Sequence, residues 1–165
     1  MKNEGQKEWG PSIWHEIADL YHEVLDLYYG KNNPTKAAPI ALRLLRLLDK
    51  HDPKAETMIG LSGRWLTADL DGDIEETIRY REKELAVLRK HIRKGILKTE
   101  ALHADEFSDR LDMLAEDYLE VDRYADALAA LAESEAFCKK HGIPFDGKDV
   151  RADVKRAMKK RKVAV

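Results

Sequence analysis

The chain has 165 residues, 44% hydrophobic and 36% charged, which is enough for one compact domain with a core beneath a heavily charged surface. Its 29 Lys and Arg against 31 Asp and Glu leave a net charge of -2, so the overall charge gives no reason to expect a nucleic-acid partner. The single cysteine, Cys138, excludes an internal disulfide, and a polar stretch at 1–8 with no long apolar run favours a cytoplasmic protein without a membrane segment.

The first predicted helix hairpin occupies about residues 11–53. Apolar residues recur every three or four positions over 13–28, the period of one helical face, and polar turn residues follow at 31–34. A strongly apolar second helix then ends before Pro53, because the residue before a proline disfavours helical geometry. Pro39 is expected in the first turn of this helix.

The second predicted hairpin spans about 55–94. Its first helix, about 55–70, contains Gly60 and Gly63, small residues that often allow a neighbouring helix to approach closely. An Asp-Gly-Asp break separates it from the next helix, which Asp73 is expected to cap.

The third predicted hairpin spans about 100–141, and its second helix begins near Tyr124. Two alternatives remain for 96–102. Either Thr99 caps the first helix of this hairpin, or the residues form a short link. A final helix over about 148–161 has only a narrow apolar stripe, as expected of a lid on the other helices. No period-two pattern persists long enough to indicate a strand, so the sequence predicts an all-α fold.

The third hairpin carries an ordered set of bulky, small and aromatic positions. On its first helix these are Leu111, Leu114, Ala115 and Tyr118, and Ala127 and Leu131 follow on its second. This pattern resembles the tetratricopeptide repeat, in which small residues sit where two antiparallel helices cross. The resemblance implies a right-handed stack of about three antiparallel helix hairpins with a C-terminal capping helix, all in one domain over 1–165.

The other two hairpins fit the repeat pattern less regularly. In the second, Thr77 takes the usual alanine position, but Trp65 stands where a small residue is expected. In the first, the two halves are more widely spaced than in the family, with an insertion around 29–36. The matching positions there are Trp14, Ile17, Ala18 and Tyr21, followed by Ala41, Leu45, Leu48 and Pro53.

The resemblance implies that the first helices of successive hairpins line a concave groove that holds a peptide or a partner helix. The groove-facing residues carried over are His15, Asp19, His22, Glu23, Asp112, Glu116, Leu119 and Glu120, with Ser62, Leu66 and Asp69 as guesses for the irregular second hairpin. This set is acidic and would favour a partner bearing Lys or Arg. The alternative is that helix surfaces in so charged a chain are acidic somewhere without binding anything.

A second hypothesis comes from the spacing His15-x3-Asp19-x2-His22, which puts two imidazoles and a carboxylate on one helical face. Such a set can hold a divalent cation in a metal-binding protein or a metal-dependent hydrolase. It lacks the His-Glu-x-x-His spacing of metalloproteases, and Glu100-x-x-His103 is a single copy of a motif that di-iron bundles carry in pairs. The alternative is that these three side chains form a polar, solvent-exposed face that holds no metal. No cofactor is expected.

Two other charged stretches have structural explanations. The acidic run 69–76 lacks the twelve-residue ligand spacing of a calcium loop and is read as a helix-hairpin turn. The basic tail 155–162 could contact nucleic acid or an acidic membrane, but cations at a helix C-terminus also complement the helix dipole, which is the favoured explanation.

The leading hypothesis is therefore a non-catalytic interaction module, an adaptor, scaffold or chaperone-like protein. No nucleophile–base pair, phosphate loop or dinucleotide fingerprint is visible in the sequence. Self-association through exposed repeat faces is a third hypothesis.

Overall fold

The computed structural model describes residues 9–95 and 101–163, with the backbone alone for 101–105. The polar stretch at 1–8, the alternatives for Thr99 and the side chains of Glu100 and His103 lie outside the described residues. In chain order the helices are α1 (Pro11–Leu25), which a π-helical segment (Asp26–Gly30) continues, α2 (Pro34–His51), α3 (Met58–Leu70), α4 (Ile74–Arg93), α5 (Ala101–Glu120), α6 (Tyr124–His141) and α7 (Lys148–Val163).

The all-α prediction is confirmed, since the described residues contain helices, turns and loops but no strand. Within the same residues, no helix combines the length and the apolar character needed to cross a bilayer.

The start of α2 differs from the sequence prediction because of its cap. The Asn33 side chain accepts a hydrogen bond from the backbone N–H of Lys36 at 3.1 Å, and Pro34 follows at the first helical position. The helix therefore begins at Pro34, and the prediction that Pro39 lies in its first turn is wrong. Pro39 lies inside the helix, on an exposed position.

Side-chain caps also begin the next two helices. Thr57 Oγ1 accepts from the backbone N–H of Gly60 at 3.0 Å, so α3 begins at Met58, three residues later than predicted. The predicted cap of α4 is confirmed, because Asp73 Oδ1 accepts from the backbone N–H of Glu76 at 3.1 Å.

The chain divides into two compact units, with the boundary between Glu84 and Leu85, so that α4 contributes to both. In the first unit α1, α2 and α3 pack together around four buried side chains, Ile17, Leu20, Leu44 and Leu48. Half-buried apolar side chains surround this cluster, namely Trp9, Ile13, Tyr21, Ile40, Leu47 and Ile59.

The glycines of α3 allow close packing in the first unit, as the sequence predicted. A Cβ atom added at Gly63 would lie 2.7 Å from Leu48 Cδ1 on α2. At Gly60 the neighbour is a carboxylate rather than a helix, since an added Cβ atom would lie 2.0 Å from Asp52 Oδ2. Any larger residue at either position would require its neighbour to move.

In the second unit α5 and α6 pack against each other, and α7 packs on both. The two helices are antiparallel, because Phe107 near the start of α5 contacts Phe137 near the end of α6. The six positions that carry the repeat pattern are all buried: Leu111, Leu114, Ala115, Tyr118, Ala127 and Leu131. Val154, fully buried, anchors α7.

Candidate binding surfaces

The first candidate surface is the acidic face of α1, which comprises His15, Asp19, His22 and Glu23. All four side chains are exposed, whereas Ile17, Leu20 and Val24 on the other side of the helix are buried in the core. Neither Asp19 nor Glu23 forms an ion pair with any described residue. The helix thus keeps one face for the core and offers the other, with two free carboxylates, to solvent.

The spacing of His15, Asp19 and His22 does not gather a set of metal ligands here. Among the described residues, no group of three or more His, Cys, Asp or Glu side chains is arranged to hold a metal ion.

The second candidate surface is the acidic face of α5, comprising Asp112, Glu116, Leu119 and Glu120. Glu116 and Glu120 are exposed and, within the described part of the chain, make no ion pair. Leu119 is half-buried beside them. This face therefore combines two free carboxylates with part of one apolar side chain.

Asp112 differs from its neighbours on this face because it is half-buried. Its Oδ1 atom is sealed from solvent and, taken by itself, has no hydrogen-bond partner among the described residues. Burial raises the pKa of this carboxyl above its ordinary value, a hydrogen bond from Ser134 opposes the shift, and the charges of Asp109, Asp146 and Glu116 add to it. Asp112 is thus less available to a partner than Glu116, one turn further along the helix.

The acidic faces of α1 and α5 belong to different units, and each unit presents its own face. The residues guessed for the second hairpin lie elsewhere. Ser62 and Leu66 are buried, and Asp69 is half-buried and accepts a hydrogen bond from the Tyr29 hydroxyl. Ser62 and Leu66 therefore line no exposed surface.

Sequence reasoning missed a buried polar cluster between α3 and α4 in the first unit. Glu84 is only 1% exposed, and its Oε2 atom accepts hydrogen bonds from the Ser62 hydroxyl and from the indole Nε1 of Trp65 at 3.0 Å. The Arg81 guanidinium lies over the Trp65 ring, 4.5 Å from its centroid. The sequence signal for this cluster was Trp65, whose indole N–H needs an acceptor and which stands where the repeat pattern expects a small residue.

A small pocket of about 240 Å³ also lies in the first unit, between α2, α3 and α4. Arg64 is its main cation, and donates to Asp49 Oδ1 and to the carbonyl oxygen of Asp52, both at 2.8 Å. The acidic side chains that line the pocket are Asp49, Asp71, Asp73 and Glu76. Asp71, Asp73 and Glu76 belong to the acidic run 69–76, which the sequence analysis interpreted as a helix-hairpin turn. This run therefore also lines a pocket.

Together these features define an all-helical protein in which α1 and α5 are among the helices that expose carboxylates without an ion pair to any described residue. No protein-family model, curated protein or solved structure matches this chain.

Proposed function

We propose that this chain is a non-catalytic interaction module that binds a basic peptide or helix through the acidic faces of α1 and α5. The observation that carries the proposal is that Asp19, Glu23, Glu116 and Glu120 are exposed and make no ion pair among the described residues. Some other carboxylates are already paired, for example Glu16 with Arg43 at 2.7 Å. Four free carboxylates on two helices can instead pair with Lys or Arg of a partner.

In this proposal the charges orient the partner and apolar contacts supply most of the affinity. Exposed ion pairs are each worth only about 0–1 kcal/mol, so four of them do not hold a partner by themselves. Leu119, half-buried between Glu116 and Glu120, is the apolar anchor on α5. Binding should therefore weaken with salt, yet not vanish at high ionic strength.

The tetratricopeptide-like resemblance supplies the wider arrangement of the proposal. In that arrangement the hairpins stack with a right-handed turn in one domain, and their first helices line a single groove. Such a groove would suit an adaptor, scaffold or chaperone-like role without a cofactor, and the lone cysteine favours the cytoplasm as its location. Self-association would place a second copy where the partner is expected.

The proposal is tested by titrating the protein into a fluorescein-labelled helical peptide with leucines on one face and lysines on the other. We expect the charge reversals D19K/E23K and E116K/E120K each to weaken binding by about tenfold or more, since each replaces two attractions by two repulsions. The matched control is E56K/E75K, which reverses two exposed carboxylates outside α1 and α5 and should change affinity less than about twofold.

Equal losses in the control and the test variants would show general charge attraction and contradict the proposal. Light scattering on the same samples measures self-association, and a mass that does not change with concentration removes the second copy as the partner.

A further inference from the structure

The second unit contains an apolar groove of about 380 Å³, open to solvent, that is separate from the acidic face of α5. Its apolar lining is Ile92 from α4, Phe107 from α5, and Ala136 and Phe137 from α6, and its charged lining is Arg89, Arg93, Glu133 and Lys140. This volume falls at the lower end of the roughly 300–1,000 Å³ typical of ligand sites. It suits one or two large apolar side chains.

The floor of the apolar groove is aromatic and incompletely covered. The ring centroids of Phe107 and Phe137 are 4.7 Å apart, and those of Phe137 and His141 are 4.4 Å apart. Phe107 is buried, but Phe137 and Ile92 are only half-buried and Ala136 is exposed. An apolar side chain inserted here would remove these groups from water, which is the main favourable term in association.

One wall of the apolar groove is fixed by a two-pronged ion pair. Arg89 donates from Nε and Nη2 to the two carboxylate oxygens of Glu133, at 2.7 and 2.8 Å. Paired guanidinium and carboxylate groups of this geometry are rigid and cancel each other's charge. They leave Arg93 and Lys140 to set the charge of the groove.

Arg93 and Lys140 are exposed and have no ion-pair partner among the described residues. They come from the last turns of α4 and α6, which also carry Lys90 and Lys139. Helix dipoles favour cations at such turns. Here two basic helix ends lie beside one apolar groove, so its surroundings are positive.

We propose that the apolar groove binds an acidic amphipathic helix, which inserts one or two large apolar side chains and places Asp or Glu beside Arg93 and Lys140. Charge complementarity selects this occupant, because an apolar helix with a basic polar face would bring cations against cations. The proposal goes beyond the interaction module proposed above, because it assigns a second surface with the opposite charge preference.

The test measures fluorescence anisotropy of a labelled helical peptide with leucines on one face and glutamates on the other, titrated with the full chain. Two companion peptides separate the contributions. One carries serine for every leucine and the other carries lysine for every glutamate. We expect the acidic amphipathic peptide to bind at least about tenfold more tightly than either companion.

Two variants locate the binding on the protein. A136W fills the groove at an exposed helix position without removing any charge, and R93E/K140E reverses the two free cations. We expect each to weaken binding by about tenfold or more. The control K155E/K159E makes the same charge reversal at two exposed lysines of α7 and should have less than about a twofold effect. Circular dichroism confirms that each variant is folded.

Several results would overturn the proposal. These are no binding of the acidic amphipathic peptide, equally tight binding of the serine or the lysine peptide, or equal affinity in A136W and the wild type. If the wild-type chain self-associates and A136W does not, a second copy of the chain occupies the apolar groove. That result would also overturn the proposal of an acidic helix. None of these results depends on the acidic faces of α1 and α5.

Discussion

Trp65 on α3 donates its indole N–H to the carboxylate of Glu84 on α4, at 3.0 Å, with both side chains almost completely buried. The pair explains an irregularity of the sequence. Where the repeat pattern expects a small residue, this chain has a tryptophan whose N–H requires an acceptor, and Glu84 supplies it from the neighbouring helix.

Glu84 is expected to be essential for the stability of the first unit. The variant E84A leaves the Trp65 N–H and the Ser62 hydroxyl without their acceptor in a buried site. Each such loss costs about 1–3 kcal/mol, so urea unfolding should show a loss of about 2–5 kcal/mol. E84Q keeps an oxygen acceptor and should lose less.

The exposed neighbour Lys83 provides the control, and K83A should change the free energy of unfolding by less than about 0.5 kcal/mol. If E84A were no more harmful than K83A, the hydrogen bonds to Glu84 would contribute nothing to stability.

Gly60 should not tolerate alanine, although alanine is the better helix former. The added Cβ atom would meet Asp52 Oδ2 at 2.0 Å, and that oxygen is held by the backbone N–H and the hydroxyl of Thr57. A gain of about 1 kcal/mol in helix propensity is therefore outweighed, and we expect a net loss of about 1–3 kcal/mol in thermal or urea unfolding.

A double-mutant cycle identifies the cause of that loss. In a D52A background the shortest contact disappears and Thr57 Oγ1, 2.8 Å from the added Cβ atom, remains, so G60A should cost clearly less than in the wild type. G30A is the matched substitution at an exposed position, where the added Cβ atom would lie 3.2 Å from Asp26 Oδ1, and it should lose less than about 0.5 kcal/mol. A loss of the same size in D52A as in the wild type would mean that the clash with Asp52 is not the cause.

Asp112 should make stability depend on pH in the opposite sense to an ordinary ion-paired carboxylate. Its pKa is raised in the folded chain by burial, so the native state holds the proton to higher pH than the unfolded state does. Stability from this group is fully present below its ordinary pKa of 3.8 and falls as the pH rises through the raised value. D112N removes this titration.

We expect D112N to be more stable than the wild type at pH 7, by less than about 1 kcal/mol, because the half-exposed group is partly screened by solvent. The difference should shrink to nothing as the pH is lowered below 3.8. Urea unfolding at a series of pH values measures it, and E116Q, which neutralises an exposed carboxylate on the same helix, is the control. A difference that grows on acidification would contradict the assignment.

Cys138 should react with thiol reagents only when the second unit opens. The thiol is 1% exposed, and its sulfur lies 3.0 Å from the Ser108 hydroxyl, which in turn lies 2.7 Å from the Ser134 hydroxyl. With a free energy of opening of about 5 kcal/mol or more, a disulfide reagent should label it at least about a thousandfold more slowly than the unfolded chain.

The comparison protein is A136C/C138S, which moves the thiol to an exposed position on the same helix. It should label at nearly the rate of the unfolded chain. Fast labelling of the wild-type thiol under native conditions would mean that the packing around Cys138 opens readily.

The helices themselves were largely determined by sequence, because the signals that begin and end them act within a few residues. The cap of Asp73 on the backbone N–H of Glu76 and the left-handed Gly142 after α6 are examples. The errors were local as well. Because Asn33 caps α2, this helix begins earlier than predicted and Pro39 lies inside it. Because Thr57 caps α3, that helix begins three residues later than predicted.

The buried faces were also predictable, since the period of the apolar residues showed which side of each helix turns inward. Sequence could not show which atoms meet there, because that depends on residues far apart in the chain. Ser62 and Glu84 are 22 positions apart, and Arg89 and Glu133 are 44 apart. Only the tertiary packing paired them.

The same limit applies to the candidate surfaces. Helical spacing placed Asp112 and Glu116 on one face of α5, one turn apart, and gave no reason to treat them differently. Tertiary packing seals one oxygen of Asp112 and leaves Glu116 in water. Sequence therefore determined the helices and their polar faces, and tertiary structure decided which carboxylates remain free to bind, because burial depends on what the neighbouring helix covers.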